Sequence, residues 1–315
     1  MAPAQEISPP DISPYAKGNT GCDYTHRFES GVPGPRVFIS AIIHGNEICG
    51  AIALDYLLRH DIRPAKGCLT LCFANVAAYD TYDPAHPHTA RFVDEDMNRL
   101  WSPHMLSGSR KSSEMNRARA LLPLIRETDS LLDLHSMSED CPALTLAGRR
   151  SKNLELALSL GQSPFVVRDD GHVAGKRLRD YEPFDHPESE KTALLVECGA
   201  HWKSKTADFA IQTALAFLDM HGMLSEEDAA RLNFQPATGT PKVLDVTHTI
   251  TTEGENFFFT RPVHSLECVP KSGTEIGVNG DHTVTTPYDN CYVIMPQPGA
   301  LKGRTAARLA RLVDQ

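Results

Sequence analysis

The stretch VFISAIIHGNEICGAIALDYLLRH, residues 37–60, joins two patterns and decides the fold. Its first seven residues are apolar and rich in β-branched side chains, as in a buried strand. From Glu47 onward, apolar residues recur at helical spacing. Between the two patterns lies HGNE, which places His44 and Glu47 three residues apart, with Gly45 between them. The stretch therefore predicts a strand that leads into a helix, with an imidazole and a carboxylate at the junction.

The same alternation continues along the chain and predicts an α/β fold. Four further apolar runs are predicted strands, at 68–75, 130–136, 142–148 and 192–199. Four segments are predicted helices, at 47–60, 113–127, 151–161 and 206–221. Strands that alternate with helices are typical of a mostly parallel or mixed sheet flanked by helices.

The character of the chain changes near residue 235. NFQPATGTPK, residues 233–242, has the composition of a linker, and short β-rich pieces separated by glycines, prolines and asparagines follow it. We therefore predict a catalytic α/β domain over residues 1–235, with an extended lead-in over 1–33, and a smaller C-terminal β domain over 240–315. The final segment RTAARLARLVDQ is compatible with a strand or with a short helix.

Composition limits the classes of function. The 315 residues suit one large α/β domain or a large domain with a smaller partner, and the net charge of -9 argues against nucleic-acid and anionic-membrane surfaces. A local arginine cluster could still bind an anionic small molecule. The N-terminus lacks the pattern of a signal peptide, no apolar run is long enough for a membrane span, and the eight cysteines contain no CxxC pair. These features predict a cytoplasmic protein, and general frequency predicts a homo-oligomer.

Polar residues fall at the carboxyl ends of the predicted strands, where open α/β sheets bind ligands. His44 and Glu47 follow the first strand, His135 ends the run LLDLH, and Glu197 ends the run LLVE. Two imidazoles and one carboxylate make a three-ligand set with an open position, as in catalytic zinc sites. Gly45 would allow a tight turn between the first two ligands. The alternative for HxxE alone is a helix-start glutamate beside an unrelated histidine.

Two carboxylates near the predicted ligands have open roles. Glu197 interrupts an apolar strand, so it must be paired, protonated or functional. Beside a metal it would suit a general base, and the structural alternative is an ion pair with an arginine such as Arg99. Asp133 lies two residues before His135 and could either orient that imidazole or bond to local backbone.

The block RFVDEDMNR, residues 91–99, brings two arginines and an asparagine close together in sequence. Arginines that converge on a pocket can bind a carboxylate or stabilise an oxyanion, which makes Arg91, Asn98 and Arg99 candidates. The three acidic residues between them could instead neutralise the arginines in a solvated loop, and composition alone favours that alternative.

Taken together, HGNE, RFVDEDMNR, DLHS and VECG resemble, in order and separation, the aspartoacylase and succinylglutamate desuccinylase family, which is related to the zinc carboxypeptidases. These motifs cover roughly residues 37–200. The resemblance implies a zinc carboxypeptidase-like fold with a C-terminal β domain. It also implies a zinc-dependent amidohydrolase with one Zn²⁺ per chain, which removes an acyl group from a small N-acylated amino acid or similar amine that carries a carboxylate.

The resemblance also implies roles for individual residues: His44, Glu47 and His135 as zinc ligands, Glu197 as the base for the attacking water, Arg91 as the group that polarises the scissile carbonyl, and Asn98 and Arg99 as the substrate carboxylate site. It agrees with the roles inferred from the residues, and it replaces the solvated-loop interpretation of the arginines.

Two features of the family have no residue-by-residue match. A family arginine that reads the substrate's second carboxylate precedes the catalytic glutamate, and Arg177 and Arg179 are its candidates here, although either could be a surface charge. The family's C-terminal tyrosine has Tyr288 as its candidate, with Tyr292 and a plain turn tyrosine as rivals. The residues HW that follow the VECGA run, His201 and Trp202, could form a pocket wall, but simple packing is the favoured interpretation.

Two other functions use the same residue types. A metallocarboxypeptidase that acts on short peptides also needs HxxE, a distant histidine, an Asn-Arg pair and a glutamate. A non-catalytic zinc- or ligand-binding relative could keep the fold without turnover. The short HGNE junction, the block at 91–99 and the β-rich tail, which would narrow the entrance, favour deacylation.

Overall fold

The structure is a computed structural model that describes residues 5–313. Residues 1–4 of the predicted lead-in and residues 314–315 of the predicted C-terminal domain lie outside the described residues. Within this range the chain forms eight α-helices: α1 Ile48–Arg59, α2 Val76–Tyr79, α3 Pro103–Ser107, α4 Ser113–Glu127, α5 Ser151–Leu160, α6 Glu182–Asp185, α7 Ser204–Met220 and α8 Glu226–Arg231. Short 3-10 helices span Ser13–Tyr15, Pro87–Arg91, Met97–Arg99 and Leu178–Asp180.

The same residues form fourteen strands: β1 Thr25–Glu29, β2 Arg36–Ala41, β3 Cys68–Phe73, β4 Ser130–Met137, β5 Leu144–Leu146, β6 Phe165–Arg168, β7 Thr192–Ala200, β8 Lys242–Thr251, β9 Phe257–Phe259, β10 Glu267–Val269, β11 Glu275–Asn279, β12 His282–Thr285, β13 Cys291–Ile294 and β14 Thr305–Val313. Eleven of them make one large sheet in the order β1-β3-β2-β4-β7-β5-β6-β8-β14-β13-β10, and β12-β11-β9 make a small antiparallel sheet.

The large sheet is mixed, and helices cover both of its faces. The neighbours β3, β2, β4 and β7 run parallel, whereas β1 and β5 join this group antiparallel. Adjacent residues of β2 point to opposite faces: Ile39 packs in the cluster that holds α1 and α7, and Phe38 packs in the cluster that holds α4. A strand buried on both faces needs a continuous apolar run, which is the pattern the sequence shows. The predicted fold class is confirmed.

The elements predicted from the sequence pattern are all present, and the undecided final segment is a strand, β14. The pattern did not reveal β1, which lies within the predicted lead-in and pairs antiparallel with β3. After residue 240 the chain extends the large sheet, because β8 pairs parallel with β6 and antiparallel with β14. The predicted domain boundary at 235–240 stays a prediction. Within residues 5–313, no helix combines the length and hydropathy that a membrane span requires.

Candidate metal centre and active site

The turn between β2 and α1 carries the first two candidate ligands. Glu47 is the N-cap residue of α1, but its side chain makes no capping hydrogen bond. Its carboxylate instead faces the rim of the sheet, where Oε1 lies 2.7 Å from Nδ1 of His44. Both side chains are buried. The junction therefore holds an imidazole and a carboxylate in direct contact.

Gly45 positions this turn by close packing. A Cβ atom at this residue would lie 2.4 Å from the carbonyl carbon of Ala78 and 2.6 Å from the backbone oxygen of Ala90. The backbone N–H of Gly45 also donates to the backbone oxygen of Arg91, at 3.2 Å. A tight turn, the reason expected from the sequence, therefore explains the glycine only in part. The absence of a side chain lets the segment that carries Arg91 approach the junction.

The third candidate ligand comes from β4, which pairs parallel with β2. Nδ1 of His135 lies 2.7 Å from Oε2 of Glu47, so the two imidazoles contact different oxygens of one carboxylate. The candidate ligand atoms of His44, Glu47 and His135 all lie within 4.8 Å of one another. The structure thus brings together the three residues that the sequence singled out.

The second nitrogen of each imidazole faces another carboxylate. Nε2 of His44 lies 3.0 Å from Asp96, and Nε2 of His135 lies 2.8 Å from Asp133. Nε2 of His44 also lies 2.9 Å from Nη2 of Arg91. When Nε2 carries the proton, the Nδ1 lone pair is directed toward Glu47, and carboxylates commonly orient metal-binding imidazoles in this way. The two nitrogens and one carboxylate fit the donor set of a three-ligand zinc site.

The charge of the cluster also suits a cation. Burial opposes ionisation of Glu47, but the two neighbouring imidazoles hold the pKa of its carboxyl well below the usual range. Burial likewise opposes protonation of His135, yet Asp133 and Glu47 raise its pKa well above the usual range. A site whose carboxylates favour a positive charge at its centre would favour a divalent ion for the same reason.

Glu197 lies beside this cluster. It sits on β7, directly in register with His135 of β4, and its side chain is buried. Its Oε2 atom has no hydrogen-bond partner among the described residues. Burial and the negative charge of Glu47 raise the pKa of Glu197 to about 8. Arg99, the structural partner considered from the sequence, lies instead 3.7 Å from Asp96. A buried carboxyl group with a raised pKa in a cavity is typical of a proton-transfer residue.

Arg91 lies over the cluster. Its Nη1 is 3.4 Å from Glu47 and its Nη2 is 3.3 Å from Asp96, with 37% of the side chain exposed. The other acidic residues of the block turn away from the arginine: Asp94 accepts from the backbone of Ser113, and Glu95 accepts from Arg110. The guanidinium of Arg91 therefore faces the candidate metal centre.

Asn98 and Arg99 lie at the same rim, and both line the cavity. The amide oxygen of Asn98 accepts a hydrogen bond from the backbone of Leu178, at 2.8 Å, whereas its amide nitrogen lies 3.4 Å from Nε2 of His135. Nη1 of Arg99 donates to the backbone oxygen of Asn98 at 2.7 Å. Asn98 thus holds the 178 segment in place and keeps only its amide N–H groups for the cavity.

A cavity of about 810 Å³ opens over the cluster. The predicted ligands, Glu197 and residues of the 91–99 block line it, and the C-terminal segment contributes Met295, Arg304 and Arg308. From the sequence, the β-rich tail is expected to narrow the entrance, but the pattern does not single out these three residues. The segment RTAARLARL, with its three arginines, could have indicated this contribution to the cavity wall. Which of its side chains face the cavity depends on whether it is a strand or a helix, and the sequence pattern left that open.

Arg177 and Arg179, the candidates for a further substrate-binding arginine, are buried and paired with aspartates. Arg177 donates to Asp169 at 2.7 and 3.0 Å and to Asp180 at 2.6 Å. Arg179 donates to Asp180 at 2.7 Å and to the backbone oxygen of Ala147 at 2.9 Å. Arg177 borders the cavity, but Arg179 is not among its lining residues. Their contacts support structural roles, and their predicted substrate roles stay predictions.

The candidate tyrosines lie elsewhere. The hydroxyl of Tyr288 is 2.6 Å from the Thr247 hydroxyl, and the guanidinium of Arg311 stacks 4.1 Å from the ring centroid. Tyr292 lies 6.4 Å from Phe165 between ring centroids. Neither tyrosine is among the residues that line the cavity, so no contact supports the predicted role of Tyr288.

His201 and Trp202 differ in their positions. His201 lines the cavity, and its Nδ1 lies 2.7 Å from the hydroxyl of Ser136. Burial lowers the pKa of His201 to about 4, so the ring is neutral near pH 7. Trp202 is buried and donates to the backbone oxygen of Asn46 at 3.2 Å. The histidine is therefore a pocket wall, and the tryptophan is packing.

Comparison with known proteins identifies a family that this chain resembles. Residues 33–175 match the succinylglutamate desuccinylase/aspartoacylase catalytic domain family. A probable aspartoacylase from Parasynechococcus marenigrum (strain WH8102) is 34% identical over 122 residues, which are 36% of this chain and 38% of that protein. The match thus spans less than half of that curated relative. The resemblance to this family that the four motifs predicted is confirmed.

Solved structures show the same fold. Succinylglutamate desuccinylase from Vibrio cholerae superposes with a TM-score of 0.69 at 19% identity, covering 90% of this chain and 83% of that one. The succinylglutamate desuccinylase from Chromobacterium violaceum gives 0.67 at 15% identity, covering 93% and 89%. Because they cover 90% and 93% of this chain, these likenesses extend well beyond residues 33–175, which match the catalytic domain family.

Proposed function

We propose that this chain, which resembles the succinylglutamate desuccinylase/aspartoacylase family over residues 33–175, is a zinc-dependent amidohydrolase. Its substrate would be a small N-acylated amino acid or related amine that carries a carboxylate. The observation that carries the proposal is the convergence of His44, Glu47 and His135 beside the buried Glu197. These three side chains would hold one zinc ion per chain.

Each residue around the cluster can have a separate role in the hydrolysis of an amide. Bound zinc would supply Lewis-acid activation of a water molecule and of the amide carbonyl. Glu197 would accept a proton from the attacking water and deliver it to the leaving nitrogen as the C–N bond breaks. Arg91 would donate hydrogen bonds to the carbonyl oxygen as negative charge develops on it. The products are a carboxylic acid and a free amine.

The anionic end of the substrate would lie at the arginine side of the cavity. Arg99 is only 17% exposed, and its ion pair with Asp96 is long, at 3.7 Å. The amide N–H groups of Asn98 remain available beside it. A planar guanidinium next to an amide donor suits a carboxylate.

The absence of disulfides among the described residues supports the proposed cytoplasmic location. All eight cysteines are free, and seven of them are buried. A homo-oligomer stays a prediction from general frequency, since the structure contains one chain.

A substrate panel tests the function directly. Zinc-loaded protein is incubated with N-acetyl and N-succinyl derivatives of the common amino acids and, in parallel, with N-blocked dipeptides and longer peptides. Released amine is then measured. We expect turnover of one or more N-acyl amino acids, loss of turnover after removal of the metal by a chelator, and recovery on addition of zinc. Equal turnover of the longer peptides would favour a metallocarboxypeptidase, and no turnover of either series would favour a non-catalytic relative.

A further inference from the structure

Arg308 is a buried arginine that the assigned chemistry leaves without a role. It lies on β14, in register with Ile294 of β13 and Thr249 of β8. The residue is 6% exposed, and it lines the same cavity as the candidate metal centre. A guanidinium in such a position must meet an anion, because burial of an unpaired charge is costly.

The anion nearest to Arg308 in the protein is already engaged. Nε of Arg308 lies 3.7 Å from Asp169 and has no hydrogen-bond partner among the described residues. Asp169 meanwhile accepts two shorter hydrogen bonds from Arg177, at 2.7 and 3.0 Å. Asp169 therefore pairs mainly with Arg177, and it neutralises the charge of Arg308 only in part.

Arg99, another residue of the cavity wall, is in a similar position. Its Nε is buried without a hydrogen-bond partner among the described residues, and its ion pair with Asp96 is 3.7 Å long. Asp96 accepts from His44 at 3.0 Å and from the backbone of Asn98 at 2.9 Å. Two arginines of the cavity wall thus share aspartates that bind other groups more closely.

Both arginines line the same cavity, and their positive charges act on each other. Burial and the like charges of Arg91, Arg177 and Arg308, only partly offset by Asp96, lower the pKa of Arg99 to about 10. His172, another lining residue, faces the same arginines: burial and the charges of Arg99, Arg308 and Arg177 lower its pKa to about 3. A neutral histidine among partly neutralised guanidinium groups marks a region that would bind an anion.

We propose that Arg308 and Arg99 together clamp the anionic group of the substrate, so that the last strand supplies a specificity-determining residue. The ligand chemistry is a carboxylate, which accepts hydrogen bonds from two guanidinium groups at once. The choice of a carboxylate rests on the proposed function. The clamp adds Arg308 to the Asn98–Arg99 pair inferred from the sequence, since the amide oxygen of Asn98 accepts from the backbone of Leu178 and its N–H groups stay beside Arg99.

The test measures binding without turnover. Zinc-loaded protein carrying Glu197→Gln is titrated by calorimetry with N-acetyl amino acids and, separately, with the corresponding carboxamides, which lack the negative charge. We expect the carboxylates to bind more tightly. Adding Arg308→Gln should weaken carboxylate binding about 10- to 100-fold and leave carboxamide binding unchanged, since a hydrogen bond to a charged group is lost. Arg308→Lys should recover part of the preference, because it keeps the charge without the planar fork.

Arg311 offers a matched control on the same strand. It is exposed and stacks on Tyr288, so Arg311→Gln should leave both affinities unchanged. The Arg308 variants should fold, because Asp169 keeps its hydrogen bonds to Arg177. Thermal unfolding checks this point.

Three results would overturn the clamp: equal weakening of carboxylates and carboxamides by Arg308→Gln, no weakening of either, or no preference for carboxylates before Arg308 is changed. Absence of hydrolysis by the protein with Glu197 intact is a separate result. It would contradict the proposed function, but a carboxylate preference that depends on Arg308 would still support the clamp.

Discussion

His135 and Glu197 occupy directly paired positions on two neighbouring parallel strands, β4 and β7. The residues just before them, Leu134 and Val196, are also paired, and both pack in the core on the opposite face. Backbone hydrogen bonds and apolar packing therefore fix the separation of the candidate ligand from the candidate base. A site whose groups stand on sheet strands needs little ordering when a substrate binds.

Replacement of Glu197 by glutamine should abolish proton transfer while preserving shape. We expect kcat to fall by about 10²- to 10⁴-fold, the usual contribution of a general base, with zinc content unchanged. Steady-state kinetics on the substrate found by the panel, with metal analysis of the same sample, measures both quantities. Glu155→Gln, an exposed carboxylate on α5, is the control. Hydrolysis that persisted in the Glu197 variant would show that another residue is the base.

Asp133 should set the metal affinity through His135. Its carboxylate accepts from Nε2 of His135 at 2.8 Å, and loss of such a partner commonly weakens metal binding. Asp133→Asn is expected to lower zinc affinity about 10- to 100-fold in a chelator competition. Asp208→Asn changes an exposed carboxylate on α7 and should leave the affinity unchanged. Equal zinc affinities of the parent protein and both variants would show that Asp133 does not support the metal centre.

Arg91 should act on the reaction more than on binding. Replacement of a group that stabilises a developing oxyanion typically lowers kcat about 10²- to 10³-fold. We expect that loss for Arg91→Gln, with the affinity of the Glu197→Gln background for the same substrate changed much less. Comparison of turnover with calorimetric affinity separates the two effects. A large loss of affinity with normal kcat would instead make Arg91 a binding residue.

Gly45 should be intolerant of any side chain. A Cβ atom would lie 2.4 Å from backbone atoms of Ala78 and Tyr79, neither of which is the end of a flexible side chain. Gly45→Ala should lower the free energy of unfolding by about 3 kcal/mol or more, the upper range for overpacking. Gly239→Ala is a matched control, because nothing lies within 4 Å of its Cβ position. Urea unfolding compares them, and similar stabilities would contradict the close packing at Gly45.

The buried ion pairs of Asp180 should make the free energy of unfolding depend on pH. Burial opposes ionisation, but Arg177 and Arg179 hold the pKa of Asp180 below its ordinary value of 3.8. The resulting stability is fully present above about pH 4 and is lost progressively as pH falls toward the lower folded-state pKa, because the unfolded chain binds the proton first. Asp180→Asn should cost about 3–5 kcal/mol at pH 7, and less at pH 3.

Urea unfolding of the parent protein and the Asp180 variant at pH 7, 5, 4 and 3 measures this difference. Asp170→Asn provides the comparison, since Asp170 is 78% exposed in its pair with Arg149 and should contribute about 1 kcal/mol or less. A difference for Asp180 that stayed constant between pH 7 and pH 3 would contradict the assignment.

The sequence predicted most of the site because the ends of parallel strands coincide in space. His44, His135 and Glu197 each follow or end an apolar run, so alternation alone places them at one rim. The pairing of Arg177 with Asp169 could not be foreseen in the same way. It depends on the fold of a segment between β6 and β7 that has no regular period, and a charged pair in such a segment has the same composition as a solvated loop.

Arg308 illustrates a second limit. Its burial follows from the position of β14 between β8 and β13, an arrangement that local pattern does not encode. Asp96 was recognised only as an acidic neighbour of arginines, because its contact with His44 joins residues on different segments. The sequence thus indicates which polar side chains lie at the strand ends. Tertiary packing determines which of the charged side chains remain available to a ligand.

The placement of Arg308 on β14 also bears on the order in which the protein is synthesised. A nascent chain that has emerged beyond Glu197 already carries every group proposed to hold the ion and move the proton. Arg308 follows much later, with β14. The residues of the proposed metal centre therefore all precede the clamp residue Arg308 in the order of synthesis.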